Sequence, residues 1–479
     1  MKRTNKILAL VALFLLTISY GCKDLTKLNE NPKVPSKVPS ETLFANAVRT
    51  LSDQMATPNV NSGIFRLLAQ HWAQTTYIDE SNYDLATRNI PQNFWNTIYL
   101  NVIKDLREAK RLYAEETYAA GTANDKIRAN REAITELVEV YAWHVLVFTF
   151  GDIPYSEAMD INNPQPKYDD AYTVAQDLLA RIDAAYAQLD DGYTAFGAYD
   201  LIYGDDINNW KKFAASLKLR IAMLMADVPG FNAQAAVEDA VSKGVFTSQA
   251  ERAAFRYLSN PPNTNPVWDN LVQSGRKDFV AANTLVDFMN AQSDPRVPYY
   301  FTEDANGNYT GGIYGDNNNY ATFSKPSDIV TAPDAEHVLL DYVEVEFLLA
   351  EAVERGYSVG GTALTHFENA VTASAEYWGV DASTAASFAA TLVGGYARSA
   401  IGEQMWVAMY NRGWEAWTYW RFFDAPTLVA PAGAQWPTVP VRYPYPVQEQ
   451  NINVTNWQAA VDKIGGDDIP TVKLFWDKN

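Results

Sequence analysis

The stretch RANREAITELVEVYAWHVLVFTF, residues 128–150, shows the pattern that decides the fold. Its apolar residues recur at i, i+3, i+4 and i+7, a spacing that places them on one face of an α-helix. The sequence has the same spacing in seven other stretches: residues 41–55, 63–74, 94–116, 172–189, 208–226, 336–355 and 363–378. Long helices joined by short turns are typical of stacked helix pairs, so the sequence predicts a mainly α-helical scaffold.

Three irregular regions interrupt the helical pattern. Residues 259–268 and 426–453 are rich in proline, and residues 294–327 are rich in Gly, Asn and Tyr. Such composition predicts long ordered loops and minor β hairpins, and the Asn306-Gly307 dipeptide predicts a type I′ turn. Loops on a rigid scaffold often carry binding groups, so we expect function to lie in these regions.

The composition limits the classes of ligand. Hydrophobic residues make up 48% and charged residues 20% of the 479 residues, as in a globular protein with a large core. The formal net charge of −19 argues against nucleic acid as a partner and favours neutral glycans, such as α- or β-glucans, over polyanions. The single cysteine excludes an intrachain disulfide and a cysteine zinc cluster.

The N-terminus has the pattern of an export signal. Positive charges in residues 1–6 precede an apolar run at 7–18 and a small residue, Gly21. This order predicts a signal peptide over residues 1–21, because the apolar run is too short to span a membrane as a helix.

Cys22 follows Gly21 directly and resembles the cysteine of a bacterial lipobox, which is lipidated and becomes the new N-terminus. The lipobox usually has Leu three positions earlier, where this chain has Ser19. The alternative is an ordinary signal peptide followed by a free cysteine. Residues 22–40 contain three prolines and predict an extended tether, so we expect the folded body to span residues 41–479.

No common catalytic motif accounts for the sequence. The zinc protease motif H-E-x-x-H, the Walker loop and G-x-G-x-x-G are absent, and His144 lies in an apolar helical run typical of a core histidine. Residues 356–360 match G-x-S-x-G, but they follow a predicted helix, which favours Gly356 as its C-cap. A calcium loop starting at Asp304 lacks the required Gly and Glu. No metal or cofactor site is therefore predicted.

A glycoside hydrolase needs two facing carboxylates, and among 57 acidic residues no pair stands out.

Aromatic residues in the loops are the features that favour binding. A sugar offers an apolar C–H face to an aromatic ring and hydroxyl groups to Asp, Asn and Arg. The candidate glycan-binding residues are Tyr77, Asp79, Asn82, Tyr83, Arg88, Trp268, Tyr309, Tyr314 and Tyr320.

Several stretches resemble signatures of the SusD/RagB family of nutrient-binding lipoproteins. They are NENP at 29–32, FGDIPYSEA at 150–158, PKYDDAYTV at 166–174, DLIYGDDINNWKKFAASLKLRIAM at 200–223, DPR at 294–296, EVEFLLAEAVERG at 344–356, IGEQMWVAMYNRGWEAWTYWR at 401–421, VPVRYPYPVQEQNIN at 439–453 and KLFWD at 473–477. The matches run in order along nearly the whole chain. The chain departs from the family at Ala215, where Asn is usual, and at Phe422, where a second Arg is common.

The resemblance implies a SusD-like fold built on tetratricopeptide-like helix pairs. It implies a lipoprotein on the outer membrane of a Gram-negative cell that captures glycan and delivers it to a SusC-like TonB-dependent transporter, without catalysis. It implies that Trp210 and Trp406 fill the core and that Gly151-Asp152 orders a turn. It places ligand contacts near residues 75–90 and 260–325. The alternatives are a secreted glycoside hydrolase, a peptide-capturing member of the family and a structural transporter subunit without a ligand.

Overall fold

Helices account for most of the structure, a computed structural model that describes residues 38–478. The predicted signal peptide, Cys22 and most of the predicted tether lie outside the described residues. Residues Ser40–Asn479 form one compact unit.

The first half of the unit contains α1 Ser40–Ala56, α2 Phe65–Leu68, β1 Trp72–Gln74, α3 Ile90–Asn96, α4 Lys104–Glu115, α5 Ala123–Phe150, β2 Ile153–Pro154, β3 Tyr168–Asp169, α6 Ala171–Gln188, α7 Ile207–Leu224 and α8 Ala233–Lys243. A π-helical segment, Thr97–Ile103, joins α3 to α4, and short 3₁₀ turns occupy Gly197–Tyr199 and Gln249–Glu251.

The second half contains β4 Ala253–Phe255, α9 Pro266–Trp268, β5 Phe279–Ala281, α10 Asn283–Ala291, α11 Val297–Tyr300, β6 His337–Leu340, α12 Tyr342–Glu354, α13 Ala363–Trp378, α14 Ala382–Val393, α15 Arg398–Ala408, α16 Gly413–Phe423, α17 Val447–Ile452 and α18 Val454–Lys463. A π-helical turn, Asp269–Gln273, follows α9.

Side-chain caps explain where the long helices begin. In each case an Asp, Asn or Thr side chain accepts a hydrogen bond from a backbone N–H of the first turn, which satisfies a donor that the helix itself leaves free. The capping residues of α5 to α8 and α12 to α14 are Thr122, Asp170, Asp206, Asn232, Asp341, Thr362 and Asp381. Each such cap stabilises its helix by about 1 kcal/mol.

Consecutive helices pack against each other along the chain. The runs α5–α8 and α12–α14 pack in sequence order, and α15 packs on α16. Such stacking of neighbouring helices is the scaffold that the apolar periodicity predicts. The predicted core residues Trp210, Trp406 and His144 are fully buried, and burial holds the pKa of His144 well below its usual value.

Helix α5 crosses the middle of the core. It is the one helix of residues 38–478 that is long and apolar enough to cross a membrane, but 94% of its apolar window is buried inside the structure. It is therefore the core helix of a folded unit.

A buried carboxylate ties α4, α5 and α6 together. Glu139 on α5 accepts from Arg107 at 3.2 Å and lies 3.3 Å from Arg181, and Lys110 contacts its second oxygen. The indole N–H of Trp143 also donates to this carboxylate, at 2.9 Å. A buried charge needs partners of this kind to offset its desolvation.

The strands are short and form two-stranded antiparallel sheets, β1 with β5, β2 with β3 and β4 with β6. In the first sheet Trp72 pairs with Ala281 and Gln74 with Phe279. The prediction of one helix over residues 63–74 is therefore wrong after Leu68. Gln70 adopts a positive φ of 54°, which ends the helix, and the backbone from Trp72 bonds to β5.

The predicted helix over residues 336–355 is also wrong at its start. Residues His337–Leu340 form β6 against β4, and Asp341 then caps α12 by accepting from the N–H of Glu344 at 3.0 Å. A run such as VLL satisfies both a buried strand and a helix, so the distant partner β4 decides. The end of α12 is as predicted, because Gly356 follows it with a φ of +81°.

The turn at Asp304 differs from its predicted type. The N–H of Gly307 donates to the carbonyl of Asp304 at 3.1 Å, and Gly307 has a φ of +78°, but Asn306 does not have a positive φ. The turn is therefore not type I′, which needs a positive φ at both central residues. The Asp304 carboxylate stabilises it by accepting from the N–H groups of Asn306 and Asn308.

Candidate functional site

Three segments distant in sequence meet around Asn82. We call this surface the loop junction and define it by residues 75–89, 311–325 and 427–436. The side-chain amide of Asn82 donates to the backbone carbonyl of Gly315 at 2.8 Å. The backbone carbonyl of Asn82 accepts from the N–H of Gln435 at 2.8 Å. Asn82 thus joins all three segments, and its amide nitrogen is occupied by protein rather than presented to a ligand.

Gly315 is required where the second and third segments touch. Its φ is +82°, and a Cβ atom built there would lie 2.2 Å from the Cβ of Pro431. No larger residue fits without moving one of the two segments.

Backbone strain is concentrated in and beside the first segment. Four non-glycine residues, Gln70, Tyr77, Tyr83 and Asn89, have a positive φ, out of nine in the described part of the chain. Such conformations cost of order 1–3 kcal/mol each and cluster at binding and active sites, where the surrounding structure holds them.

Tyr77 presents its ring to solvent at the loop junction. Its side chain is 68% exposed, and its own carbonyl accepts from the Gln74 amide at 3.0 Å, which holds the backbone that carries the ring. Asp79 is exposed two residues later. An open aromatic face beside a free carboxylate offers both kinds of contact that a sugar ring needs.

Tyr320 lies on the second segment, which is joined to the first by hydrogen bonds. The Asn318 amide donates to the carbonyl of Gln74, the residue directly before the first segment, at 2.9 Å. The N–H of Thr75 donates to the carbonyl of Asp278, which lies outside the loop junction beside Lys277, at 2.9 Å. The half-buried Tyr320 ring has the ammonium of Lys277 5.7 Å from its centroid. The predicted residues Tyr77 and Tyr320 therefore belong to neighbouring segments of one surface.

Tyr83 and Tyr314 lie inside the protein, against the expectation that they form ligand platforms. Both rings are buried, the Tyr314 hydroxyl donates to the carbonyl of Leu67 at 2.7 Å, and the Gln70 amide donates to the Tyr83 hydroxyl at 3.2 Å. Burial raises the pKa of Tyr83 to about 12. The two side chains support the loop junction from below and have no ring face open to a ligand.

Arg88 and the residues after Trp268 lie at a small polar cavity. Arg88 is paired with the buried carboxylate of Glu80 and, with Asn61, Asn270 and Arg276, is among the residues that line a cavity of about 160 Å³. Trp268 itself is half-buried at the end of α9. The structure thus places Arg88 near the segment of Trp268, at a separate opening.

Tyr309 lies within the irregular region 294–327, two residues before the second segment of the loop junction begins at 311. It is half-buried against the core, its carbonyl accepts from the Asn290 amide at 3.0 Å, and burial raises its pKa. Its ring is therefore only partly available to a ligand.

The sequence interpretation did not include Trp436, Lys277 or Lys325. Trp436 is half-buried and, with Leu85, Pro91, Tyr445 and other residues, lines a largely apolar cavity of about 220 Å³ beside the 75–89 segment. Its place in the Pro-rich stretch 426–453 was a usable signal, because an aromatic residue in an irregular segment is often partly exposed. Nothing local in the sequence marks the two lysines.

A further cavity of about 650 Å³ lies between the 247–252 segment and α13. Several of its polar groups have partners within the protein, since Arg252 is paired with Glu336 at 2.6 Å and the Tyr377 hydroxyl donates to Glu336 at 3.2 Å. The side-chain oxygen of Gln249, which also lines the cavity, is buried without a hydrogen-bond partner. Within residues 38–478 no group of three or more His, Cys, Asp or Glu side chains is arranged to hold a metal ion.

Comparison with known proteins gives one family model and several solved structures that match most of this chain. A family model described as "Starch-binding associating with outer membrane" matches residues 32–446. A solved structure titled "chitin-binding protein" has a TM-score of 0.79 and 23% identity, covering 92% of this chain and 100% of its own. A chitin-binding SusD homolog from Flavobacterium johnsoniae has a TM-score of 0.76 and 21% identity, covering 92% and 98%.

A SusD homolog from Bacteroides uniformis gives a TM-score of 0.76 at 23% identity, covering 91% of this chain and 99% of its own. These likenesses show a common fold over nearly the whole unit. No curated protein sequence gives a significant match.

Proposed function

The chain belongs to the SusD-like family, and from this premise we propose that it captures a glycan at the cell surface and passes it to a SusC-like TonB-dependent transporter. The protein acts by binding alone. It takes the glycan from solution, holds it at the loop junction and releases it to the transporter.

The observation that carries this proposal is the exposed ring of Tyr77 on a loop that the protein holds rigidly. The loop loses little conformational entropy when a ligand binds to Tyr77, because hydrogen bonds from Gln74 and Asn82 already fix its backbone. The carboxylate of Asp79 beside it can accept hydrogen bonds from the hydroxyl groups of a sugar. The titles of two similar structures name chitin as the ligand of those proteins, which supports a glycan rather than a peptide here.

The N-terminal sequence supports a surface location. We propose that residues 1–21 are removed, that Cys22 carries the lipid anchor and that residues 22–40 form the tether to the body at 41–479. The description of the family model, which names association with the outer membrane, agrees with this arrangement.

A glycoside hydrolase is the second candidate, and one carboxylate pair favours it. Asp53 and Asp269 line a cavity of about 330 Å³, and burial raises the pKa of Asp53, as in a general acid. Both carboxylates, however, accept hydrogen bonds from protein hydroxyls, Asp53 from Tyr257 at 3.0 Å and Asp269 from Thr264 at 2.7 Å. This arrangement supports a structural role.

Calorimetric titration with a panel of oligosaccharides tests the proposal. We expect saturable binding to at least one glycan and no release of reducing sugar during prolonged incubation. Binding to peptides and to no glycan assigns the chain to peptide capture. Release of reducing sugar that disappears in Asp53→Asn establishes the hydrolase.

A further inference from the structure

Nearly every positive charge of this acidic protein is paired within the protein. Within the residues that the structure describes, all but five lysine and arginine side chains have a carboxylate within 4.0 Å. The five are Arg66, Lys277, Lys325, Arg421 and Lys478.

Three of these five have an evident explanation. Arg66 and Arg421 are buried and donate to backbone carbonyls, for example to Ala56 at 2.9 Å and to Phe148 at 2.9 Å. Lys478 is the penultimate residue of the chain. Apart from Lys478, Lys277 and Lys325 are the lysines of the described unit without an ion-pair partner.

These two lysines meet at one side chain. The ammonium of Lys277 lies 5.7 Å and that of Lys325 lies 5.3 Å from the ring centroid of Tyr320, although the lysines are far apart in sequence. Each cation–π contact contributes only about 0.5–1 kcal/mol at an exposed site. Neither ammonium has a carboxylate within 4.0 Å in the described part of the chain, so both like charges lie near this ring without an ion-pair partner.

The neighbouring carboxylates are engaged elsewhere. Asp278 is paired with Arg276 at 2.5 Å. The oxygens of Asp304 accept from two backbone N–H groups of its own turn and from the Thr310 hydroxyl at 2.9 Å. These backbone N–H groups and, more weakly, the charge of Lys325 lower the pKa of the Asp304 carboxyl. No carboxylate of the described residues lies within 4.0 Å of either ammonium, however, so a ligand at Tyr320 meets two lysines without an ion-pair partner.

The lysine pair adjoins the face proposed to bind glycan. The N–H of Thr75 donates to the carbonyl of Asp278, the residue after Lys277, and Tyr77 follows Thr75 by two positions. The backbone that carries Lys277 therefore adjoins the backbone that leads to Tyr77.

We propose that Lys277, Lys325 and Tyr320 form a subsite for an anionic substituent, a carboxylate or a sulfate ester, so that the captured glycan is acidic. Each ammonium donates to the anionic oxygens, and the Tyr320 ring supports the apolar face of the sugar that carries them. This inference rests on the proposed function and reverses the preference for neutral glycans, because the net charge of −19 describes the whole chain and a ligand meets the local charge.

Titration against three sets of oligosaccharides tests the subsite. The sets are neutral (malto-, cello- and chito-oligosaccharides), carboxylated (oligogalacturonates and alginate oligosaccharides) and sulfated (carrageenan and chondroitin sulfate oligosaccharides). We expect binding to the carboxylated or the sulfated set, and which of the two binds identifies the substituent. Affinity should fall as NaCl rises from about 50 mM to about 500 mM, since screening acts on exposed charges.

Matched variants separate the subsite from the net charge. We expect Lys277→Met/Lys325→Met to weaken binding by about tenfold or more, and Lys277→Arg/Lys325→Arg to stay within about threefold of the wild type. The control Lys104→Met/Lys167→Met removes two exposed lysines elsewhere and should leave affinity unchanged. Thermal unfolding of each variant verifies its fold.

The remaining outcomes overturn the inference in distinguishable ways. Binding to neutral glycans alone, lost in Tyr77→Ala and intact in Lys277→Met/Lys325→Met, overturns the anionic subsite and leaves the proposed function standing. Acidic glycan binding that the same lysine variant does not weaken overturns the assignment to this lysine pair. Binding to no glycan overturns both proposals.

Discussion

The side-chain amide of Asn82 donates to the carbonyl of Gly315 at 2.8 Å, across 233 positions of the chain. Through this bond the segment that carries Tyr77 is fixed to the segment that carries Tyr320. Together with the bond from the Asn318 amide to the carbonyl of Gln74, this bond holds the two segments that carry the tyrosines next to each other.

Asn82→Ala should therefore weaken glycan binding without unfolding the protein. Loss of the hydrogen bonds to Ile78 and Gly315 costs about 1–2 kcal/mol locally, which frees the two segments to move apart. Calorimetry and thermal unfolding measure the two effects separately. The exposed Asn208, at the start of α7 and outside the loop junction, offers the control Asn208→Ala, which should change neither. Unchanged binding in Asn82→Ala would show that the segments keep their register without this bond.

Gly315→Ala tests the close approach to Pro431. The added methyl group meets Pro431 at 2.2 Å and also stands on a backbone with a φ of +82°, so we expect destabilisation of more than about 1 kcal/mol and weaker binding. Gly315→Ala/Pro431→Gly removes the clash and leaves the backbone strain, so it should restore only part of the loss. Complete recovery in the double variant would mean that the strain at Gly315 has no measurable cost.

Exposure separates the roles of Tyr77 and Tyr83. Because Tyr77 is 68% exposed, Tyr77→Ala should weaken glycan binding about tenfold with an unchanged melting temperature, and Tyr77→Phe should retain most of the affinity. Tyr83 is buried, so Tyr83→Ala leaves a cavity and should destabilise the fold by about 3–5 kcal/mol. A Tyr77→Ala variant with full affinity for every glycan would remove Tyr77 from the site.

Cys22→Ser should release the protein from membranes. The thiol is the proposed attachment point for lipid, and the remaining chain offers no other anchor that we predict from its first 40 residues. Fractionation after a high-salt wash distinguishes a lipid anchor from adsorption. Ser19→Leu, which restores the usual lipobox residue, should stay with the membrane. A Cys22→Ser protein that remains in the washed membrane contradicts the anchor.

Local patterns predicted the helices well and failed where distant partners decide. The apolar period over residues 363–378 matches α13 at both ends, since burial of one helical face depends on spacing alone. The errors at 63–74 and 336–340 arise where β1 and β6 pair with strands that lie far along the chain. The spacing of apolar residues within one segment carries no information about a strand partner that lies far along the chain.

The site was harder to predict than the fold, because exposure is a tertiary property. Tyr77 and Tyr83 stand in the same short loop with similar neighbours, yet one ring is open and the other is buried. The charge of Lys277 and Lys325 was hidden by the acidic total, since only the folded chain shows which lysines lack a carboxylate. The regions near 75–90 and 260–325, which the resemblance implies for ligand contacts, include two of the three segments of the loop junction; that they bind a ligand stays a prediction.

The buried Glu139 predicts how stability depends on acid. Burial raises the pKa of its carboxyl, but the charges of Lys110 and Arg181 outweigh burial and hold the pKa at about 2. Because the folded pKa lies below the unfolded value of about 4.5, the stabilisation is complete above that value and is lost as the pH falls toward 2. The shift corresponds to about 3 kcal/mol.

Urea unfolding at a series of pH values should therefore show Glu139→Gln less stable than the wild type at pH 7, with the difference shrinking by about this amount at low pH. Glu108→Gln, at an exposed pair with Arg111, is the control, because about 0.5 M NaCl should abolish its effect and leave that of Glu139 in place. A Glu139→Gln difference that stays constant from pH 7 to pH 2 would mean that the Glu139 carboxyl has the same pKa in the folded and unfolded chain.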